Sequence, residues 1–279
     1  MHAPSWAPAP PSPSPTAPAA ASPAPTARSW KPSPPATPSS ASTTPAAATP
    51  PRSTTPLSLD DLADQLVAAA VAEGLDTFAV SGYSLGGPVA IRAAARHPER
   101  VTALVLTATF PHPDNRLMLA TSLWRKLAES GDSGMLAEYL TMMAVGADAL
   151  EAIPDEQLQQ AVGFTAASIA DGTPEHAELA PRVDVRDDLA HIKVPTLVIS
   201  TIQDWFTSTR LHRQLADGIP GAQLAEIRTG HLPMVERPDE WQQLITDEPH
   251  QGCRHRLGQY RHRPRGGLPM FGWHDPVPC

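Results

Sequence analysis

The amino acids at 78–96 are Phe-Ala-Val-Ser-Gly-Tyr-Ser-Leu-Gly-Gly-Pro-Val-Ala-Ile-Arg-Ala-Ala-Ala-Arg, a pattern that predicts a short buried strand, a sharp turn and a helix. Ser84 sits at the tip of the turn, two residues from Gly82 and two from Gly86. We expect side chains at these glycine positions to collide where the strand reverses into the helix. The strained turn would expose the serine hydroxyl. The amide of Leu85, at the positive end of the helix, would then face a developing oxyanion.

The chain divides into three parts of different composition. Residues 1–56 hold 17 of the 33 prolines and no periodic apolar face, so we expect a disordered tail. Residues 249–279 contain five arginines, one acidic residue and both cysteines, and are predicted to be a basic disordered tail. Residues 57–248 carry 13 basic and 28 acidic residues, a net charge of −15, and are long enough for one domain with a hydrophobic core.

Several classes of protein are disfavoured by this composition. The sequence has neither an export signal after Met1 nor a run of 18 apolar residues, so no membrane association is expected. Because both cysteines lie in the C-terminal tail, the middle part has no disulfide framework and a cytoplasmic location is expected. The basic tail contains no recognisable nucleic-acid-binding module, so no nucleic-acid partner is expected.

The order of elements in the middle part is typical of a parallel sheet flanked by helices. A helix beginning after Ser58 and ending at Gly74 precedes the first strand, and strands alternate with helices from there on. Residues 110–190 interrupt this alternation with three helical patterns, which predict an inserted helical cap. The fold class is therefore predicted to be α/β. Strands are expected near 78–83, 101–106, 194–200 and 223–227, and cap helices near 115–129, 135–147 and 155–170.

Two polar residues follow the later predicted strands. Asp204 comes four residues after the third strand, and His231 comes directly after Gly230, beyond the fourth. The carboxyl ends of parallel strands meet at one edge of a sheet, where α/β proteins keep their active sites. Asp114, which lies beyond an earlier strand, is the alternative to Asp204 as the acidic residue of such a site. His97 is interpreted as a cap residue that favours a helix dipole.

Four segments resemble the α/β-hydrolase family: Gly-Tyr-Ser-Leu-Gly-Gly, Ala-Arg-His-Pro-Glu-Arg-Val, Val-Pro-Thr-Leu-Val-Ile-Ser followed by Asp204, and Gly-His-Leu-Pro-Met-Val-Glu-Arg-Pro-Asp. The resemblance implies that Ser84 attacks a carbonyl carbon, His231 transfers the proton and Asp204 orients the imidazole. It implies a small-molecule acyl substrate such as an ester, thioester or lactone, and no metal or organic cofactor. A serine nucleophile argues against the family's dehalogenases and epoxide hydrolases, which use aspartate.

Apolar residues near these positions are candidates for an acyl-binding pocket. Trp205 and Phe206 adjoin Asp204, and Met142 belongs to the predicted cap. Residues at helical spacing are more often ordinary core, so both interpretations stay open. The other candidates in the cap are Met118, Trp124, Met143 and Phe164.

The resemblance also predicts that part of the family's fold is absent. Family members begin with four more strands, and a loop among them supplies a second oxyanion amide. This chain enters at the helix before the 78–83 strand, so a partial α/β-hydrolase is expected, with an open sheet edge prone to self-association. Two functional interpretations follow. The chain is an active serine hydrolase, or it is a catalytically dead remnant that at most binds a protein partner.

Overall fold

A computed structural model describes residues 40–41, 56–169 and 173–247. Its sheet has five parallel strands in the order β1 to β5, and each strand pairs with the next along the chain. The α/β fold class is therefore confirmed. The strands are β1 Ser40–Ala41, β2 Phe78–Tyr83, β3 Val101–Thr107, β4 Thr196–Thr201 and β5 Gln223–Ile227.

Helices cover both faces of this sheet. Alternate residues of β4 belong to different apolar clusters, as the two-residue period of a strand requires. Val198 packs in the cluster that includes α1, α2 and α9, whereas Leu197 and Ile199 contact α11. Outside the cap, the helices are α1 Leu59–Ala72, α2 Gly86–Arg96, α9 Thr209–Gly218, α10 Pro233–Glu236 and α11 Pro238–Asp247.

The segment between β3 and β4 forms the expected helical cap. Its three main helices, α3, α4 and α6, occupy the positions predicted from the sequence, and shorter helices link them. The cap has its own apolar cluster, which includes Phe110, Leu117, Tyr139 and, from the sheet domain, Phe206. The cap helices are α3 Asn115–Ser130, α4 Ser133–Ala144, α5 Ala147–Glu151, α6 Asp155–Ser168, α7 Thr173–Leu179 and α8 Arg186–Leu189, with a 3-10 turn at Ala180–Arg182.

The two edges of the sheet differ. β5 was expected to be an edge strand, and it is one, with exposed side chains alternating along it. On the other edge, Ser40–Ala41 of β1 pairs with Ala79 and Val80 of β2. These two residues belong to the segment expected to be disordered. Disorder was predicted for 1–56 and 249–279, and apart from Ser40, Ala41 and Pro56 these residues lie outside the described part. Within the described part, no helix is both long and apolar enough to cross a bilayer.

Ion pairs fix helix α2, which follows Ser84, against its neighbours. Arg92 pairs with Asp60 of α1 at 2.6 Å and with Asp188 of α8 at 2.8 Å, and Arg96 pairs with Asp64 at 2.7 Å. These groups are partly exposed, so each pair contributes little alone, but a shared network holds its members in one geometry. The network therefore ties the helix after Ser84 to both flanking helices.

Candidate active site

The turn between β2 and α2 holds Ser84 in a strained conformation. Its φ angle is 52°, in the left-handed region that side chains other than glycine seldom adopt. The Ser84 amide donates to the Thr107 carbonyl at 3.1 Å, and the Thr109 hydroxyl donates to the Ser84 carbonyl at 2.5 Å. The end of β3 therefore clamps the strained turn from both sides of the serine.

The glycines of the turn have unequal roles. A Cβ atom at Gly82 would lie 2.7 Å from the Gly86 carbonyl oxygen, so the collision expected there is confirmed. At Gly86 the expectation was wrong, since no described atom beyond its chain neighbours and its own helix backbone lies within 4 Å of such a Cβ. The close approach occurs instead at Gly87, whose Cβ would lie 2.6 Å from that of Thr109. Thr109 lies two residues beyond the end of β3, so this contact is not local in sequence.

The side chains of Ser84, His231 and Asp204 form one line of hydrogen bonds. His231 Nε2 lies 2.9 Å from Ser84 Oγ, and His231 Nδ1 lies 2.7 Å from Asp204 Oδ2. The three residues follow β2, β5 and β4, at the carboxyl edge of the sheet. A carboxylate only accepts hydrogen bonds, so Nδ1 carries the hydrogen and Nε2 presents its lone pair to the serine hydroxyl.

Asp204 is fully enclosed by hydrogen-bond donors. Besides His231, its carboxylate accepts from the Thr201 hydroxyl at 2.9 Å, the Phe206 amide at 2.8 Å, and both the amide and hydroxyl of Thr207 at 2.9 and 2.7 Å. Burial acts to raise the pKa of Asp204, but His231 and these donors outweigh it, so the pKa falls below its usual value. Asp204 therefore remains an anion. The alternative acid, Asp114, instead accepts from the Leu117 amide at 2.9 Å and caps α3.

Two aromatic rings flank the imidazole of His231. The ring centroids of Tyr83 and Phe206 lie 5.1 and 5.2 Å from it. The Tyr83 hydroxyl donates to the His231 carbonyl at 2.8 Å. Burial, followed by the charges of Asp204 and Glu236, raises the pKa of Tyr83 well above its usual value, so it stays a neutral donor.

The carboxylate of Glu236 links the cap to the histidine loop. It accepts hydrogen bonds from the Gly146 amide at 3.1 Å and from the Gly230 amide at 3.0 Å. Burial is the largest influence on its pKa and raises it, although these backbone donors act the other way. The residue before His231 is thereby joined to the segment that follows α4.

The residues predicted to form an acyl pocket lie in different environments. Phe206 is buried and contacts the rings of His231, Trp124 and Tyr139. Trp205 and Met142 are about half-exposed, at 53% and 54%. The amide of Leu85 immediately precedes α2, where helix amides lack carbonyl partners within the helix. Substrate contacts for these residues stay predictions.

The sequence interpretation missed the groups that support the three central residues: Thr109, Thr207, Glu236 and Tyr83. Only Thr207 had a local signal, because an aspartate often accepts from the amides two and three residues later in a turn. The other three contacts join distant parts of the chain. His97 does end α2, as expected, and lies 2.7 Å from Asp64. No cluster of three His, Cys, Asp or Glu suited to a metal occurs among the described residues.

The sequence matches the family model of the alpha/beta hydrolase fold over residues 34–238. The chain belongs to the α/β-hydrolase family. This α/β-hydrolase is 30% identical over 191 residues to pyrrolizixenacetamide deacetylase of Xenorhabdus hominickii, covering 68% of this chain and 71% of the relative. It is also 30% identical over 193 residues to the pimeloyl-[acyl-carrier protein] methyl ester esterase of Neisseria meningitidis serogroup C, covering 66% and 74%.

Solved structures share the fold of this hydrolase. The α/β-hydrolase MGS-M2 from a Medee basin deep-sea metagenome library superposes with a TM-score of 0.65 at 20% identity, over 76% of both chains. The enol-lactonase of Burkholderia xenovorans LB400 gives 0.61 at 22% identity, over 69% of this chain and 73% of that one. The predicted class, an α/β-fold hydrolase, is therefore confirmed. The family match begins at residue 34, so it includes β1.

Proposed function

We propose that this α/β-hydrolase cleaves an ester, thioester or lactone through an acyl-enzyme, with Ser84 as nucleophile, His231 as general base and acid, and Asp204 as orienting anion. The observation that carries the proposal is the unbroken line of hydrogen bonds from Ser84 Oγ through His231 to Asp204. Each distance lies in the range that proton transfer requires.

The proposed reaction proceeds in two halves. His231 Nε2 takes the proton of Ser84 as Oγ attacks the carbonyl carbon, and the Leu85 amide at the start of α2 stabilises the resulting oxyanion. The carbon–oxygen or carbon–sulfur bond then breaks, and His231 gives its proton to the leaving group. Water, deprotonated by the same imidazole, attacks the acyl-enzyme and releases Ser84. Asp204 supports the imidazolium in both halves.

The surroundings of His231 favour an apolar acyl or alkyl group. The rings of Tyr83 and Phe206 border the imidazole, and Phe206 continues into the cap through Trp124. The relatives named above are an esterase and a deacetylase, which supports carbonyl substrates of this kind. Esters with short apolar acyl chains are therefore the first substrates to test.

A second candidate function is a weakly active or inactive hydrolase remnant. The observation that favours it lies at the β2 edge, where the described residues supply a partner strand of two residues only. In the family, that half of the fold contributes the second oxyanion amide. Loss of one oxyanion donor typically lowers kcat by roughly 10² to 10³.

Hydrolysis of p-nitrophenyl acetate and butyrate, together with labelling by a fluorophosphonate, tests the proposed function. We expect Ser84→Ala and His231→Ala each to remove nearly as much activity as the double variant, because triad members act as a unit. Asp204→Asn should lose less than either. Matched surface controls are Ser168→Ala and His191→Ala, which are both exposed and bind main-chain oxygens four residues earlier in the chain rather than Ser84, His231 or Asp204. A folded wild-type chain that neither hydrolyses nor labels, or full activity in Ser84→Ala, would overturn the proposal.

A further inference from the structure

A second buried histidine lies behind Asp204, on the side away from His231. His212 belongs to α9 and is completely buried, beside Leu211 and Leu215 of the same helix. Its Nε2 atom lies 3.0 Å from the Thr207 hydroxyl oxygen, and its Nδ1 atom lies 3.0 Å from the Ser200 hydroxyl oxygen. No step of the proposed reaction uses this residue.

The direction of each hydrogen bond around His212 follows from the carboxylate. The Thr207 hydroxyl donates its single hydrogen to Asp204 Oδ2 at 2.7 Å, since a carboxylate can only accept. The same oxygen must therefore accept from His212, so Nε2 carries the imidazole hydrogen. Nδ1 is then unprotonated and accepts from the Ser200 hydroxyl. The donors run in one direction, from Ser200 through His212 and Thr207 to Asp204.

The electrostatic surroundings keep His212 neutral, as this arrangement requires. Burial is the largest influence and lowers the pKa of His212 to about 4. The charged groups that act on it are Asp204, which favours the protonated form, and His231 and Arg213, which oppose it. At neutral pH the ring therefore has one hydrogen, at Nε2, and can donate to Thr207 without adding a charge beside the acid.

We propose that His212 is a positioning residue of the triad, acting through the Thr207 hydroxyl to hold Asp204 Oδ2 in line with His231 Nδ1. A threonine hydroxyl can rotate about its carbon–oxygen bond. The hydrogen bond from His212 Nε2 to the Thr207 oxygen holds the hydroxyl in the orientation that donates to Asp204. The same Oδ2 atom accepts from Thr207 and from His231, so an error in one contact displaces the other. The inference rests on the proposed function, in which this line of groups is catalytic.

Two substitutions of similar polarity separate positioning from packing. In His212→Gln the amide nitrogen reaches the place of Nε2 and can still donate to Thr207. In His212→Asn the shorter side chain reaches only the place of Nδ1, beside Ser200. We expect His212→Asn to lower kcat for p-nitrophenyl butyrate on the order of tenfold, with KM changed little, as for other outer-shell partners. His212→Gln should keep most of the wild-type kcat.

A double-mutant cycle tests whether the effect passes through Thr207. Thr207→Val removes the hydroxyl but keeps the main-chain amide that also binds Asp204. If His212 acts only through that hydroxyl, His212→Asn should lower kcat no further in the Thr207→Val background. The inference would be overturned if the double variant lost kcat by the product of the two single losses. It would also be overturned if either single variant kept the wild-type kcat. Thermal unfolding checks each variant, and if His212→Asn does not fold, the protonation of the His212 ring in the wild type carries the test.

Nuclear magnetic resonance of the full chain with ¹⁵N-labelled histidine gives a readout that needs no turnover. Signals of His212 are assigned by their loss in His212→Gln. We expect a neutral ring with its hydrogen on Nε2 at pH 7, and a hydrogen-bonded Nδ1 proton of His231 that shifts equally in His212→Asn and Thr207→Val. A His212 ring protonated on Nδ1 would overturn the inference. If the wild type folds but does not hydrolyse the esters, only the proposed function is rejected. The protonation of His212 can still be measured in that protein, so the inference is tested separately.

Discussion

The main-chain amide of His231 donates a 2.7 Å hydrogen bond to the carbonyl oxygen of Ala144, the last residue of α4. Gly146 and Gly230 make this contact possible. A Cβ atom on Gly230 would lie 2.5 Å from the Ala144 oxygen, and one on Gly146 would lie 2.6 Å from the Gly230 nitrogen. The cap therefore rests directly on the loop that presents the imidazole.

Gly230→Ala should separate the cap from the histidine loop. The added methyl group overlaps backbone atoms rather than flexible side chains, so the two segments must move apart. We expect most of the hydrolase activity to be lost and the melting temperature to fall by several degrees, as for other overpacked sites. Gly163→Ala is the control, because nothing lies within 4 Å of its Cβ in α6 and alanine favours a helix. Equal activity in the two variants would contradict the expectation.

Gly86→Ala and Gly87→Ala form a matched pair in the first turn of α2. The methyl group at 87 would overlap Thr109, whose hydroxyl holds the Ser84 carbonyl, whereas the methyl group at 86 meets none of the described residues. We expect Gly87→Ala to reduce both fluorophosphonate labelling and thermal stability, and Gly86→Ala to change stability by less than about 1 kcal/mol. The reverse order in either measurement would show that Thr109 does not clamp the turn.

His212 should make the folded state sensitive to mild acid. The pKa of His212 is about 4 in the folded chain and ordinarily 6.5. Between these pH values the unfolded chain therefore binds a proton at His212 and the folded chain does not. The contribution of His212 to the free energy of unfolding is therefore complete above pH 6.5. It declines as the pH falls toward 4, by on the order of 3 kcal/mol in all.

Urea unfolding of the wild type and His212→Gln at several pH values measures this contribution. Glutamine cannot titrate, so the difference in unfolding free energy between the two proteins should change with pH between 6.5 and 4, to the disadvantage of the wild type. Contributions of the other titrating groups cancel in the difference. If the unfolding free energies of the two proteins change in parallel with pH, the pKa of His212 does not change on unfolding and the expectation is wrong.

The outer edge of β2 is expected to pair with another chain. Beyond Ala79 and Val80, the described residues offer this edge no partner strand, and unpaired strand edges promote association. We expect sedimentation to detect self-association that grows with concentration, and amide exchange to be slower in β4 than in β2. A monomer at all concentrations, with strong protection throughout β2, would rule out this form of association.

The strands and the three central residues were predictable because their signals are local. Apolar runs marked β2 to β5 to within a few residues, and strand ends brought Ser84, Asp204 and His231 to one edge. β1 was not predicted, because Ser40 and Ala41 lie in a proline-rich segment without an apolar run. The supporting groups were not predictable in this way. Gly87 depends on a threonine 22 residues away, and His212 resembles any polar residue of an amphipathic helix until α9 is packed. Trp205 adjoins Asp204 in sequence, yet its side chain is about half-exposed, because successive residues of a loop diverge.

The distance along the chain between Ser84 and His231, 147 residues, has a consequence for folding. We expect contacts so remote in sequence to form late, after the intervening cap and β4 have been ordered, because loop closure costs entropy before it gains contacts. During synthesis Ser84 therefore emerges long before His231, and a ribosome-bound chain lacks the hydrogen bond between them until the segment after β5 has been made. Recovered hydrolysis after dilution from denaturant would then lag behind recovered helix content, and would mark the completion of folding.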